Sequence, residues 1–211
     1  MADCKIQGAE RSPPPDSGER VFHAAVKLDV FSALDRATLS AAEVAEKCQC
    51  SFDAMQRLLN AMAAMGLLKK DQELYANTRS ARTFLSRSSE NYIGFMIMHH
   101  HHLVPSWYEL AQSVKTGQPV RQGASQSDAK RRESFLMGMF NLAMNLAPRV
   151  VPLLDLGNRR RLLDLGGGPG TYAVHFCQAN PKLEATVFDL PTTQPFAEKI
   201  IARFDMTQRI I

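Results

Sequence analysis

The chain has 211 residues, 45% of them hydrophobic and 22% charged, with a formal net charge of +4; this is the composition of an ordinary globular protein and excludes fibrous and disordered classes. No apolar run approaches the roughly 18 residues that a membrane-crossing helix needs. The basic excess is scattered over Lys69-Lys70, Lys130-Arg131-Arg132 and Arg159-Arg160-Arg161, so it makes no stripe of the kind that nucleic acid selects.

Residues 1–17 are polar and Pro-rich without an apolar core, which predicts a disordered leader and no secretion signal. The four cysteines, Cys4, Cys48, Cys50 and Cys177, follow no secreted framework, so a reducing cytoplasm is expected. Cys48-x-Cys50 lacks the second pair that a metal site would need. Residues 19–35 read as one helix with the stripe Val21, Phe22, Ala25, Val26, Leu28 and Phe31. Ser40 with Glu43 three residues on is a capping box, opening a helix that runs to about Lys47. Ser51 then caps a third helix closed by Gly66. Phe52, Met55, Leu58, Leu59, Met62 and Met65 predict its buried face, and Ala54, Ala61 and Ala64 a smooth second one. The segment after Gly66 reads as a β-hairpin with a polar turn at 71–73. Three helices and a hairpin make a winged helix. The third helix would be its DNA reader, but Asp53, Gln56, Arg57 and Asn60 give that helix no positive excess, which argues against nucleic acid.

Residues 78–86 predict a short helix and 91–103 an apolar one ending in His99, His100, His101 and His102. Each helical residue advances about 100°, so at most His99 and His102 share a face. With no acid or cysteine cluster beside them, they read as polar imidazoles near a substrate cavity, and no metal is expected. A separate helix at 105–114 carries Trp107, and 115–127 is a Gly/Gln/Ser-rich loop. Residues 130–154 form a long amphipathic helix that Pro148 is placed to kink or break. Met137, Met139 and Met144 lie on it.

The most informative stretch runs from Arg161 to Asp189. Leu162, Leu163 and Leu165, interrupted by Asp164, predict a strand, and Gly166, Gly167, Gly168, Pro169 and Gly170 follow as a turn. A helix to Gln178 stops at Asn180-Pro181, and a second strand over 185–188 ends on Asp189, 19 residues after Gly170. This is a βαβ unit whose glycines admit a ligand against bare backbone and whose acid is placed for the hydroxyls of a ribose. The dinucleotide fingerprint fails, because Thr171 stands where Gly or Ala is needed. A capped helix to about Phe204 follows, and Ile210-Ile211 begins a third strand.

The spacing Gly166-x-Gly168-x-Gly170 after Asp164-Leu165 resembles motif I of class I S-adenosylmethionine-dependent methyltransferases. The segments KLDVFSAL, LSAAEVAEKC, MQRLLNAMAAMGLLKK and LYANT resemble the N-terminal dimerisation domain of the small-molecule O-methyltransferases, the family of plant phenolic and acetylserotonin O-methyltransferases. The resemblance implies that S-adenosyl-L-methionine is the cofactor. It places Gly166, Gly168, Gly170, Asp189, Leu190 and Met144 around it. It also implies a homodimer through the winged helix, a small hydroxylated acceptor, and a helix over 130–154 that bridges two domains. The family's general base, a histidine followed by an Asp further along, has no counterpart, and His175 belongs to no such motif; no catalytic residue is assigned.

The expected fold class is a mainly α winged-helix domain followed by an incomplete α/β Rossmann-like methyltransferase domain. Its segments are 1–17, 18–114, 115–157 and 158–211. The 52 residues from Arg160 onward look too few to cover both faces of a parallel sheet. The expected function is therefore an O-methyltransferase present as an N-terminal portion that lacks its base. The alternatives are a non-catalytic winged-helix dimeriser with a vestigial cofactor loop and, third, a DNA-binding regulator.

Overall fold

The computed structural model describes residues 17–120 and 128–211. The expected leader, apart from Ser17, and residues 121–127 of the expected loop lie outside the described residues. The chain divides into two compact units, Met1–Thr78 and Arg79–Ile211.

The first unit contains α1 (Ser17–Lys27), α2 (Val30–Leu34), β1 (Thr38–Ser40), α3 (Ala41–Lys47), α4 (Phe52–Ala64), β2 (Leu68–Asp71) and β3 (Leu74–Asn77). The single helix expected over 19–35 is two helices. Asp29 turns left-handed, with φ of 59°, and its carboxylate accepts the Ser32 hydroxyl at 2.6 Å. That local bond offsets the strain of a non-glycine residue in this region. The bend lets Val30, Phe31 and Leu34 all enter the core. The capping box forms as the spacing predicts: the Ser40 N–H donates to Glu43 at 2.7 Å and the Glu43 N–H to the Ser40 hydroxyl at 3.3 Å. The Ser40 N–H and the Ser40 hydroxyl, both donating to the exposed Glu43 carboxylate, hold it below its ordinary range. Ser51 occupies the N-cap position of α4 but makes no side-chain cap bond. The buried face of α4 is narrower than its periodicity suggests: Met55, Leu59 and Met62 are buried, while Phe52 and Met65 are 48% and 44% exposed.

The hairpin is joined by β1 in an antiparallel sheet of order β1-β3-β2. Only Gln72 and Glu73 lie in its turn, since Asp71 already pairs with Leu74. Asn77, the last residue of β3, donates its amide to the carbonyls of Phe31 and Asp35 at 2.8 and 2.9 Å. The Phe31 carbonyl also accepts the Asp35 N–H at 3.0 Å, so the side chain adds a second bond there and meets the Asp35 carbonyl just past the end of α2.

The second unit contains α5 (Arg79–Leu85), α6 (Gly94–Tyr108), α7 (Leu110–Thr116), α8 (Ala129–Val150), a 3-10 turn (Val151–Leu153), β4 (Arg161–Leu165), α9 (Thr171–Ala179), β5 (Glu184–Phe188) and α10 (Gln194–Arg203). Pro105 does not open a new helix as expected, and Pro148 does not break α8. Each lies within the last turn of its helix, where a missing N–H costs one bond only. The break falls instead at Glu109, with φ −91° and ψ 8°. Helix α8 lies close against α6: a Cβ on Gly138 would come within 3.2 Å of the Met96 backbone.

Strands β4 and β5 pair in parallel from Arg161↔Glu184 to Leu165↔Phe188. Ile210 bridges to Ala185, so a third parallel partner begins where the sequence places it. Arg209 anchors this return by donating to the carbonyls of Leu183 and Asn180. Helices α9 and α10 cover one face of the sheet through Ala173, Val174, Cys177, Ala197 and Ile201, packed with Ala185 and Ile210. On the other face Leu163, Leu165 and Phe188 are 62%, 74% and 63% exposed.

Replacing Asn77 by Ala removes the side-chain donor from the Asp35 carbonyl and one of two donors from the Phe31 carbonyl. We expect a loss of about 1 to 3 kcal/mol of stability in urea unfolding; a variant as stable as the wild type would show that solvent satisfies those carbonyls equally well.

Candidate functional site

Strand β4 delivers Asp164 to the inner side of the sheet and then turns sharply. Gly166, Gly168 and Gly170 have φ of 70°, 57° and 73°, a run of left-handed positions that side chains disfavour. The Gly166 N–H donates to the Phe188 carbonyl at 2.7 Å, which ties the start of the loop to the end of β5. Gly167 has ordinary φ but no space. A Cβ there would lie 2.7 Å from Asp164 Cγ and 2.9 Å from Val187 Cγ1. At Gly168 nothing lies within 4 Å of the same position. One glycine admits the neighbouring strand, and the next leaves open space for something else.

Asp189 follows β5. Its Oδ2 accepts the Gly168 N–H at 2.8 Å and its Oδ1 the Leu190 N–H at 2.6 Å. Loop and acid are thus one hydrogen-bonded constellation. It opens into a cleft of about 540 Å³, walled on one side by Arg132, Phe135, Leu136, Met139, Leu142 and Ala143 of α8. The other wall holds Asp164, the loop from Gly166 to Pro169, Thr171, Tyr172, Asp189, Leu190 and Thr193.

Of the residues expected to touch a cofactor, Gly166, Gly168, Asp189 and Leu190 line this cleft. Gly170 lies beneath it, as the N-cap of α9, with its Cβ position 3.3 Å from Val187 Cγ2. Met144 faces away and packs against the cluster of Met137, Phe140 and Ile200. Met139 is the methionine on the cleft wall. His175 is also outside it; burial pushes its imidazole below the ordinary range, and its Nε2 is sealed without a hydrogen-bond partner. The His99 ring lies tilted against that of Phe135, with centroids 5.2 Å apart, and none of the four consecutive histidines lines the cleft. Among the described residues no group of three or more His, Cys, Asp or Glu stands together in a way that could hold a metal ion.

Two polar residues on the loop-side wall carry a signal that spacing alone does not assign. Asp164 Oδ2 and Thr171 Oγ1 are shielded from solvent and have no hydrogen-bond partner. Burial raises the Asp164 carboxyl above its ordinary range, the charge of Asp189 adds to this, and a backbone bond from Ala173 opposes it. Unmet buried polar atoms cost stability unless a ligand meets them. In the sequence, Asp164 shows as a carboxylate interrupting an apolar strand and leading into the glycine motif, with no ligand role attached to it. Thr171 shows only as the residue that breaks the dinucleotide pattern.

The family model of the O-methyltransferase dimerisation domain matches residues 19–87, and that of the O-methyltransferase domain matches residues 107–210. The chain belongs to the S-adenosylmethionine-dependent O-methyltransferases. It is 31% identical over 193 residues to the 3-hydroxy-5-methyl-1-naphthoate 3-O-methyltransferase of Streptomyces sahachiroi, covering 89% of this chain and 56% of that one. An O-methyltransferase family protein of Burkholderia thailandensis superposes with a TM-score of 0.79 at 29% identity, over 92% of this chain and 59% of its own. Human N-acetylserotonin methyltransferase in complex with S-adenosylmethionine shares the fold, with a TM-score of 0.75 at 24% identity over 91% of this chain and 60% of its own. The chain therefore spans 56% to 60% of the length of these relatives.

The matches overturn two expectations: an incomplete Rossmann-like domain, and a partial enzyme defined by a missing base. The O-methyltransferase domain reaches back to residue 107 and takes in α7 and α8. The fold of the relatives continues over 92% of the chain. Counting only from Arg160 understated the domain, because α8 belongs to it and packs on α9 and α10. The family's cofactor fits the cleft. Gly168 leaves open space, Asp189 is an oriented acceptor pair, and Asp164 with Thr171 presents unmet polar atoms.

The two central glycines separate folding from binding. Gly167→Ala should cost about 3 kcal/mol through its clash with Asp164 and Val187, and Gly168→Ala about 1 kcal/mol through its left-handed φ alone. Thermal unfolding of both variants tests this, and an equal loss in the two would refute the steric assignment.

Proposed function

We propose that this chain holds S-adenosylmethionine in the cleft between α8 and the glycine loop, for methyl transfer to a hydroxyl of a small acceptor. The observation that carries the reading is the convergence of the open Gly168, the oriented Asp189 and the unmet Asp164 and Thr171 in one cavity. When bound, the cofactor supplies a methyl group activated by its sulfonium. The residues do the rest by binding and placement. Asp189 offers its remaining lone pairs to the ribose hydroxyls, since a carboxylate has about four acceptor sites and the backbone takes two. Gly166 and Gly168 let the ligand approach bare backbone. Asp164 and Thr171 face its amino-acid end, where a carboxylate suits the ammonium. Leu190 packs beside the ribose. Phe135, Leu136, Met139 and Leu142 form an apolar wall that keeps water from the reacting pair and holds the acceptor in line with the methyl.

The same reading gives the first unit a structural role. The family's dimerisation domain is present, and Phe52 and Met65 of α4 and its C-cap are exposed beside the small residues Ala54 and Ala64. These support a homodimer through this unit. The polar residues of α4 are engaged within the chain: Gln56 with Glu73, Arg57 with the Asp53 carbonyl, and Asn60 with Lys70 and Tyr75. That supports a packing helix over a reader of DNA bases. Among the described residues no helix is long and apolar enough to cross a membrane. Cys48, Cys50 and Cys177 are free thiols, in keeping with a reducing compartment.

Calorimetric titration with S-adenosylhomocysteine tests the site. Asp189→Ala should weaken binding at least about tenfold, the loss of one or two charge-assisted bonds. Tighter binding of NAD than of S-adenosylhomocysteine would reject the cofactor assignment. Light scattering at tens of micromolar tests the assembly: a homodimer is expected, and Phe52→Lys should shift it toward monomer. A wild type that stays monomeric removes the dimer from the proposal.

A further inference from the structure

A second cavity, of about 580 Å³, is built wholly from the second unit. It shares no lining residue with the cleft. Helix α8 gives the cleft Phe135, Met139 and Leu142, and gives this cavity Glu133, Met137, Phe140 and Asn141. Another wall is α10, through Phe196, Lys199, Ile200 and Arg203. Lys199 and Arg203 are four residues apart on that helix, so they stand on one face of it.

The polar groups of these two walls do not meet each other. Among the described residues the side chains of Glu133 and Lys199 make no ion pair or hydrogen bond. The Arg203 guanidinium lies over the rings of Phe140 and Phe204, 5.4 and 5.9 Å from their centroids, without an ion pair. Asn141 donates its amide to the Tyr92 carbonyl at 2.9 Å, and its Oδ1 is sealed from solvent with no partner. Helix α8 therefore presents unmet acceptors and α10 unmet donors, with the cavity between them. Glu90, which is exposed, and Arg87, which lies over the rings of Tyr92 and Phe95, complete its charged lining.

We propose that this cavity binds a free aliphatic α-amino acid, with its ammonium on Glu133 and its carboxylate on Lys199 and Arg203. A simple carboxylate would meet the two cations and leave Glu133 beside an anion. A simple amine would do the reverse. A zwitterion gains charge-assisted bonds on both walls. Its side chain rests on Met137, Phe196 and Ile200, where a flexible aliphatic chain fills the irregular surface beside a methionine. An aromatic side chain gains less, because guanidiniums already cover a face of Tyr92, Phe95 and Phe140. The ligand lies outside the cleft, so it is bound there without being the methyl acceptor, and the proposal does not depend on the cofactor reading.

The test is a saturation-transfer NMR titration of L-norleucine, of hexanoate, which lacks its amine, and of pentylamine, which lacks its carboxylate. Each is run with and without saturating S-adenosylhomocysteine. Norleucine should bind at least about tenfold more tightly than either single-charge probe. Glu133→Gln should remove its advantage over hexanoate, and Lys199→Gln should reduce its advantage over pentylamine. Glu133→Asp, which keeps the charge, should keep part of the first advantage. Unchanged melting temperatures in these variants separate loss of the site from loss of the fold. Equal binding of the three probes by the wild type, or advantages that survive in both glutamine variants, overturns the proposal. It also fails if saturating S-adenosylhomocysteine displaces norleucine, since the amino acid then occupies the cleft. If S-adenosylhomocysteine does not bind the wild type, the cofactor reading falls, and the Glu133 and Lys199 variants still decide this one.

Discussion

The candidate site depends on a carboxylate held by main-chain donors. Asp189 takes the N–H of Gly168 with one oxygen and that of Leu190 with the other. A carboxylate in this position cannot rotate freely, so the end of β5 and the turn after β4 move as one piece. The Gly166 N–H bond to the Phe188 carbonyl adds a second tie between the same two segments. The left-handed run of glycines is tolerated because these bonds over-determine it. The geometry a ligand meets is thus set before it arrives, which is the cheapest way for a protein to gain affinity.

Around that constellation the chain separates steric from chemical duties. Gly167 and Gly170 are small because Val187, Asp164 and Ile201 come close. Gly168 has nothing near it. Asp164 lies under Gly167, and its burial disfavours its charge unless a cation comes to meet it. Thr171 opens α9 with a sealed hydroxyl. The strand, the loop and the helix each contribute one element of the cleft, which is why a single βαβ crossing suffices to build this wall.

Much of this was legible in the sequence, because glycine spacing and the distance to Asp189 report backbone geometry directly. The capping box at Ser40 and Glu43 was legible for the same reason. What escaped had no periodic signature. The break at Asp29 interrupts a stripe that reads as continuous, and its cause is a local bond to Ser32. Strand β1 is three residues long and abuts the cap of α3, so the cap signal masks it. The choice between Met139 and Met144 depends on the rotation of α8 about its axis, and the sequence reading had no fixed mark for that rotation. The extent of the O-methyltransferase domain was misjudged because its leading helices carry no motif, only surfaces complementary to α9 and α10.

Helix α8 has two sides with different tasks. Phe135, Met139 and Leu142 line the cleft, while Gly138, on the flank next to Phe135 and Leu142, lets α6 approach until its Cβ position lies 3.2 Å from the Met96 backbone. A side chain at Gly138 would act as a spacer between α8 and α6 and shift the apolar wall that α8 carries. The placement of that wall is therefore gauged from its flank, by a hydrogen atom on a residue outside the cleft lining. Selectivity for the thickness of an acceptor ring would then be adjustable at the α6–α8 crossing, without altering any group that touches it.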